Sequence, residues 1–129
     1  MIAPSPQPVA ATGEAATDLL RTGFHIEHEN LGRTVVLRLH GELDMATARA
    51  LRAALLQAMS VDGTPVALDL SGLSFIDSTG IAVLLAAGRR ALDEERSFSL
   101  HHPGRMVGKA LQLTGADRLI AIEAAEATG

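Results

Sequence analysis

Residues 68–80 read LDLSGLSFIDSTG and contain the clearest change from strand to helix in the chain. The apolar residues at the start of this stretch alternate, which predicts a buried strand over residues 66–70 followed by a turn. Apolar residues then recur at helical spacing, which predicts a helix over residues 80–92. Asp77 precedes that helix as a candidate N-cap. A buried strand that leads into an amphipathic helix is typical of α/β domains.

Strands and helices alternate on both sides of this stretch. Two alternating runs around a turn at residues 30–32 predict a β-hairpin near the start of the ordered chain. The other predicted elements are a helix at residues 46–59, a strand at 97–101, a helix at 104–114 and a strand at 119–122. Helices between strands require crossover connections. The sequence therefore predicts an α/β fold: one mixed β-sheet with an N-terminal hairpin and helices packed mostly on one face.

The two ends of the chain differ from its middle in composition. Residues 1–22 contain three prolines that alternate with small or polar residues, which disfavours regular backbone hydrogen bonding. We predict a flexible N-terminal leader over residues 1–22, a single domain over residues 23–123 and a C-terminal tail over residues 124–129.

The overall composition excludes several classes of protein. The chain has 129 residues, of which 47% are hydrophobic, and this suits one compact domain with a real core. Its net charge of −4 argues against a nucleic-acid partner, because neutralising phosphates needs an excess of Lys and Arg. The absence of cysteine excludes disulfide scaffolds and thiolate zinc sites. We found no apolar run of about 20 residues and no signal-like start, so we expect a cytoplasmic protein without direct membrane insertion.

Enzyme-like motifs in the sequence lack the residues that their chemistry needs. His101 and His102 point to opposite faces of an extended segment, so they cannot chelate one ion together, and we predict no metal site and no cofactor. Residues 104–110 resemble a phosphate loop but have alanine where a metal-binding hydroxyl is needed. The single DSTG segment at residues 77–80 cannot supply the two facing carboxylates of an aspartic protease. We therefore expect no enzyme, and the charged residues 89–96 are predicted to be a solvated helix end.

Two short motifs, taken together, resemble the STAS domain family, and within it the anti-sigma factor antagonists. One motif is GELD at residues 41–44, which follows the second strand and leads into the first helix; the other is DSTG at residues 77–80, preceded by LSFI. LTG at residues 113–115 is a weaker third match. Each motif is weak alone, but their order and their separation of roughly 35 residues make the combination specific. The resemblance covers about residues 24–122 and implies a single STAS-like domain.

The resemblance implies a function and a set of site residues. Ser78 would be phosphorylated by a serine kinase that is itself the anti-sigma factor, with Thr79 as the alternative acceptor. The unphosphorylated domain would bind the kinase and free a sigma factor, the phosphorylated domain would be released, and a serine phosphatase would be a further partner. The expected partner-binding residues are Glu42, Asp44, Met45, Asp77, Ser78, Thr79 and Gly80.

Elementary electrostatics agrees with this interpretation but leaves other roles open. A phosphoryl group at the start of a helix meets free N–H groups and a favourable dipole. Asp77 and Asp44 are equally suited to plain helix capping.

Two other functions also remain open. The chain could be a STAS subunit of a membrane transport complex that docks on an ATPase, or a ligand- or nucleotide-sensing STAS module.

Overall fold

The structure, a computed structural model, describes residues 23–123. The predicted leader at residues 1–22 and the predicted tail at residues 124–129 lie outside the described residues. The elements in chain order are β1 (His25–Leu31), β2 (Thr34–Leu43), α1 (Ala48–Ala58), β3 (Val66–Ile76), α2 (Ser78–Asp93), β4 (Phe98–His101), α3 (Arg105–Leu113), α4 (Ala116–Leu119) and β5 (Ala121–Glu123).

The five strands form one sheet in which the spatial order of the strands is their order along the chain. β1 and β2 form an antiparallel hairpin, whereas β2 with β3, β3 with β4 and β4 with β5 are parallel. Each parallel connection contains at least one helix, as crossover connections require. The predicted mixed sheet with an N-terminal hairpin is therefore confirmed.

The core lies between the sheet and the helices. The fully buried side chains include Leu37, Leu39, Leu68, Leu70 and Leu100 from the strands and Leu51, Leu84 and Leu111 from the helices. The opposite face of the sheet carries Arg38, Asp69 and His101, which stand beside one another on β2, β3 and β4 and are partly exposed. One face of the sheet is thus buried and the other is in contact with solvent, as the alternation of apolar and polar residues in the strands predicts.

The strands β2 and β3 are longer than the sequence predicts. β3 continues to Ile76, so the turn expected after residue 70 is wrong. The added length stays paired because β2 also continues, to Leu43, with shifts of register between Arg38 and His40 and between Gly41 and Glu42. Such bulges bend a strand and redirect its side chains. Both strands therefore end together, and the connection to α2 is shortened to one residue.

The helix boundaries also differ from the predicted ones. α1 begins at Ala48, two residues later than expected, and α2 begins at Ser78, two residues earlier. Gly115 has a φ of +81° after α3, in agreement with its predicted position just beyond a helix end, but the short helix α4 that follows it was not predicted. Within residues 23–123 no helix combines the length and the apolar character that crossing a bilayer demands.

Candidate functional site

The two motifs meet at the edge of the sheet where β2 and β3 end. Leu43 of β2 stands beside Ile76 of β3 in the parallel register, and Glu42 stands beside Phe75. The backbone N–H of Asp77 donates to the carbonyl oxygen of Leu43 at 3.0 Å. Residues 41–44 and residues 77–80 therefore form one continuous surface, although they are far apart in the sequence.

The start of α2 is held by Asp77. Its Oδ1 atom accepts a hydrogen bond from the N–H of Gly80 at 3.0 Å, and its carbonyl oxygen accepts from the N–H of Ile81 at 3.0 Å. The predicted N-cap role of Asp77 is therefore confirmed. Ser78 is the first residue of the helix, and its side chain is exposed. Its hydroxyl thus lies at the positive end of a sixteen-residue helix, within reach of a second protein.

Gly80 differs from the other predicted contact residues because it is buried. A Cβ atom at this position would lie 2.7 Å from Cγ of Leu43, a side chain that is itself fully buried. Gly80 therefore lets α2 pack closely on the end of β2. Its contribution to the site is this packing, since it offers almost no surface of its own to a partner.

The GELD segment is fixed by a network around Thr47. Asp44 Oδ1 accepts from the N–H of Ala46 at 3.0 Å and of Thr47 at 3.2 Å. The Thr47 hydroxyl donates to the carbonyl of Glu42 at 2.8 Å and accepts from the N–H of Asp44 at 2.9 Å. Asp44 thus caps the turn before α1, whereas the sequence suggested that it caps the helix itself. α1 begins at Ala48, whose N–H donates to the carbonyl oxygen of Asp44 at 2.8 Å, so the N–H groups that the Asp44 side chain holds belong to the turn that leads into the helix.

Three residues of this surface were missed from the sequence. Thr47 organises the turn, and its position three residues after Asp44 is the signal that could have found it. The Ser74 hydroxyl donates to the carbonyl of Gly41 at 3.2 Å and ties the two motifs together. Phe75 is 38% exposed beside Glu42, and no local signal separates it from a core phenylalanine.

The structure brings the predicted site residues together, and they differ in how far their side chains are exposed to solvent. Glu42, Met45 and Ser78 are exposed, and Asp44, Asp77 and Thr79 are partly exposed. Met45 is 78% exposed, which marks it as a surface side chain. The arrangement is a reachable hydroxyl at a helix start, with carboxylates and exposed apolar side chains around it. Such a surface suits contact with another protein, and the helix start can carry an added anion.

The histidines near the end of β4 take part in other contacts. His101 Nδ1 lies 3.5 Å from a carboxylate oxygen of Glu123, and His101 Nε2 lies 2.8 Å from the Ser99 hydroxyl. In the part of the chain that the structure describes, no three His, Asp or Glu side chains converge in a way that could hold a metal ion.

Comparison with known proteins points to one family. A family model described as "Mlab, STAS domain" matches residues 26–121. The anti-sigma F factor antagonist of Lysinibacillus sphaericus is 34% identical to this chain over 95 residues, which are 71% of this chain and 80% of that protein. The anti-sigma-F factor antagonist RsfB of Mycobacterium tuberculosis is 29% identical over 83 residues, which are 64% of this chain and 67% of that protein.

Solved structures give the same result. An anti-sigma factor antagonist from Mycobacterium paratuberculosis has a TM-score of 0.70 at 28% identity, covering 78% of this chain and 85% of that chain. The anti-sigma factor antagonist SpoIIAA in its unphosphorylated form has a TM-score of 0.62 at 29% identity, covering 76% and 87%. The Bacillus cell fate determinant SpoIIAA in the phosphorylated form has a TM-score of 0.60 at 27% identity, covering 76% and 90%. With a family model that matches most of its length, this chain belongs to the STAS domain family, and these relatives are anti-sigma factor antagonists.

Proposed function

We propose that this chain is an anti-sigma factor antagonist whose binding to an anti-sigma factor serine kinase is controlled by phosphorylation of Ser78. The unphosphorylated domain binds the kinase, so that a sigma factor is freed. The phosphorylated domain is released, and a serine phosphatase returns it to the binding form. The observation that carries this proposal is the exposed hydroxyl of Ser78 at the first residue of α2, on the same edge as Glu42 and Asp44.

The charge of a phosphoryl group is sufficient for the switch. Phosphorylation adds about −1.5 to −2 charges at neutral pH. On Ser78 this charge adjoins the carboxylate of Asp77 and shares a surface with Glu42 and Asp44. Burying it in a protein interface is opposed by the loss of hydration and by repulsion from any acidic group nearby. A hundredfold loss of affinity requires only about 2.8 kcal/mol.

The domain itself does not need to refold when it is phosphorylated. The N-terminal turn of α2 provides backbone N–H groups and a dipole that favour an anion. SpoIIAA has been solved in both an unphosphorylated and a phosphorylated form, and this chain resembles the two forms to nearly the same degree. Because the helix start can carry the added anion, we expect partner release through a change of surface charge with little internal rearrangement.

Phosphorylation is tested by incubating the purified chain with ATP and candidate anti-sigma kinases, followed by mass spectrometry. We expect one phosphoryl group on the wild type and on the matched control Thr79→Ala, and none on Ser78→Ala. Labelling that persists on Ser78→Ala and disappears on Thr79→Ala would move the acceptor to Thr79. The absence of labelling and of binding with every such kinase would overturn the proposal.

The release step is tested by titration calorimetry with the kinase that modifies the chain. We expect the phosphorylated wild type to bind about a hundredfold more weakly than the unphosphorylated form. Equal affinities of the two forms would contradict the switch. A structural comparison of the two forms by NMR should show changes limited to the strand ends and the first turn of α2.

The two other roles predict different partners. A STAS subunit of a transport complex would co-purify with a membrane-associated ATPase, and this association would not need a hydroxyl at position 78. A nucleotide-sensing module would bind nucleotide as a purified protein and lose that binding when residues 77–80 are mutated. Ser78 is exposed at the first residue of a helix that Asp77 caps, and this favours the kinase as partner over an ATPase or a nucleotide.

A further inference from the structure

A concave surface lies between helices α1 and α2. It is a groove of about 210 Å³ whose walls are almost entirely apolar. Leu55, Val83 and Ala87 form buried parts of the wall, and Leu56 is 54% exposed at the groove. An exposed leucine beside a concave apolar surface leaves area that a partner can cover.

A row of exposed residues on α2 leads from the groove to the surface that carries Ser78. Ser78, Ala82 and Ala86 are all exposed along α2. Residues four positions apart share one face of a helix, and Ala86 is itself part of the groove wall. The distance from Ser78 to Ala86 along the helix axis is about 12 Å. Small side chains along this row leave the path open for a protein segment that passes from one surface to the other.

The charge around the groove is opposite to that of the Ser78 surface. Within their bounds, α1 and α2 carry four arginines and one carboxylate. Two of these arginines, Arg52 and Arg90, line the groove. Arg90 forms an ion pair with Glu94, with 2.7 Å between Nε and Oε2. Arg52 has no ion-pair partner among residues 23–123. In a chain with a net charge of −4 this is a local basic region, which favours a segment with carboxylates.

The size of a stable interface also requires more surface than the Ser78 edge. An interface of ordinary size buries roughly 800 Å² on each partner and involves about 20–30 residues. The contact residues expected at the strand ends are seven, and one of them is the buried Gly80. A partner that docks there must therefore cover neighbouring surface, and the exposed row on α2 leads to the groove.

We propose that the groove between α1 and α2 is a second docking point for the same anti-sigma partner, which inserts a large apolar side chain of an acidic segment into it. This inference rests on the proposed function and extends it. Ser78 determines whether the complex forms, and the groove supplies affinity that does not depend on phosphorylation. A concave pocket with Arg52 beside it fits an inserted side chain, whereas a membrane surface would need a protruding apolar group.

The test compares two variants that add the same charge to the same helix. Leu56→Glu places a carboxylate in the groove, and Gln57→Glu places one on the neighbouring exposed residue outside it. Affinity for the kinase identified in the phosphorylation assay is measured by titration calorimetry. We expect Leu56→Glu to weaken binding at least about tenfold and Gln57→Glu to change it by less than about twofold.

A second variant tests whether a loss of binding arises from a loss of folding. Ala86→Leu adds apolar volume at an exposed position and fills the groove, so we expect it to weaken binding about tenfold while the melting temperature stays unchanged. In the phosphorylated chain the same variants should lower the residual affinity by the same factor, because separated sites act additively. Unequal factors in the two forms would contradict independent docking points.

The outcomes separate this inference from the proposed function. If the kinase binds the groove variants and the wild type equally, the groove inference is wrong and the proposed function stands. If the kinase binds no form of the chain, both fail. A wild-type dimer in analytical ultracentrifugation that Leu56→Glu dissociates would assign the groove to a second copy and overturn the inference. Binding to vesicles of anionic phospholipid that depends on Leu56, with unchanged kinase affinity, would overturn it in favour of a membrane.

Discussion

Asp77 donates its backbone N–H to the carbonyl oxygen of Leu43 at 3.0 Å, so the end of β2 fixes the first turn of α2. Gly80 packs against the side chain of the same leucine from within that turn. The proposed phosphoacceptor Ser78 therefore lies on a rigid junction of strand and helix. A rigid junction suits a switch that changes surface charge, because no segment has to refold when the charge arrives.

The substitution Ser78→Asp should reduce kinase binding without destabilising the domain. Ser78 is exposed, so the carboxylate need not be buried. At the first turn of a helix a negative charge contributes about 0.3–1 kcal/mol through the helix dipole. Urea unfolding should show a free energy equal to that of the wild type or up to about 1 kcal/mol higher. A clear loss of stability would contradict the tolerance of the helix start for an anion.

The substitution Asp77→Ala should destabilise the domain by about 1 kcal/mol, because the N–H of Gly80 loses its partner. Asp77→Asn is the matched control, since its amide oxygen can accept the same hydrogen bond. Urea denaturation of both variants gives the comparison. Equal losses for alanine and asparagine would show that the capping bond is not the cause.

The substitution Gly80→Ala should destabilise the domain by about 1–2 kcal/mol, although alanine is the better helix former. The reason is the Cβ atom, which would lie 2.7 Å from Cγ of the buried Leu43. Gly108→Ala on α3 is the control, because its nearest neighbour, Pro103, would be 3.8 Å away. We expect Gly108→Ala to stabilise by about 0.5–1 kcal/mol in the same unfolding experiment. The same sign for both variants would refute the packing argument.

The substitution Arg96→Met should destabilise the domain by about 2–3 kcal/mol. The Arg96 guanidinium is buried and donates to the carbonyl oxygens of Met59 at 3.1 Å, Val61 at 3.0 Å and Thr64 at 2.9 Å. These bonds hold the connection between α1 and β3. Arg96→Lys should rescue little, because an ammonium group cannot reproduce the planar set of donors. Full rescue by lysine in thermal unfolding would show that only charge matters at this position.

The stability of the domain should depend on pH through Glu94. Its hydrogen bond from Arg90, and then that from Arg96, hold the pKa of Glu94 below the usual value of a glutamate. A carboxylate with a lowered pKa in the folded state stabilises the fold above its unfolded pKa, and this stability is lost as the pH falls through the folded pKa. The melting temperatures of wild type and Glu94→Gln should therefore differ at neutral pH and converge in acid. A difference that stays constant across this range would contradict the assignment.

The elements of the fold could be predicted because periodicity in this sequence is clear, but the lengths of β2 and β3 could not. Ser71 and Gly72 are typical turn residues, yet they lie inside β3. The extra residues lie in β3, since Asp69 to Gly72 spans three steps opposite the two steps from Arg38 to His40. Gly72 makes room there for the ring of His40. Turn-forming residues look alike in the sequence whether they end a strand or form a bulge within it, so only the pairing of β3 with β2 shows that the strand continues.

Local chemistry was predictable from the sequence, and tertiary contacts were not. The capping role of Asp77 follows from residues within three positions of it. Arg96 was predicted to be solvated with its charged neighbours, but the structure buries it. Its carbonyl partners lie 32 to 37 positions earlier in the chain, so only the folded arrangement of α1 and β3 creates the pocket for its guanidinium.

The match between strand order and chain order has a consequence for biosynthesis. Among residues 23–123, each new strand adds to the edge left by the strand before it, so no strand of this part has to be inserted between two that are already paired. The growing polypeptide can therefore lay down its sheet from hairpin to final edge as it leaves the ribosome, in keeping with the N-terminus-first folding of nascent chains.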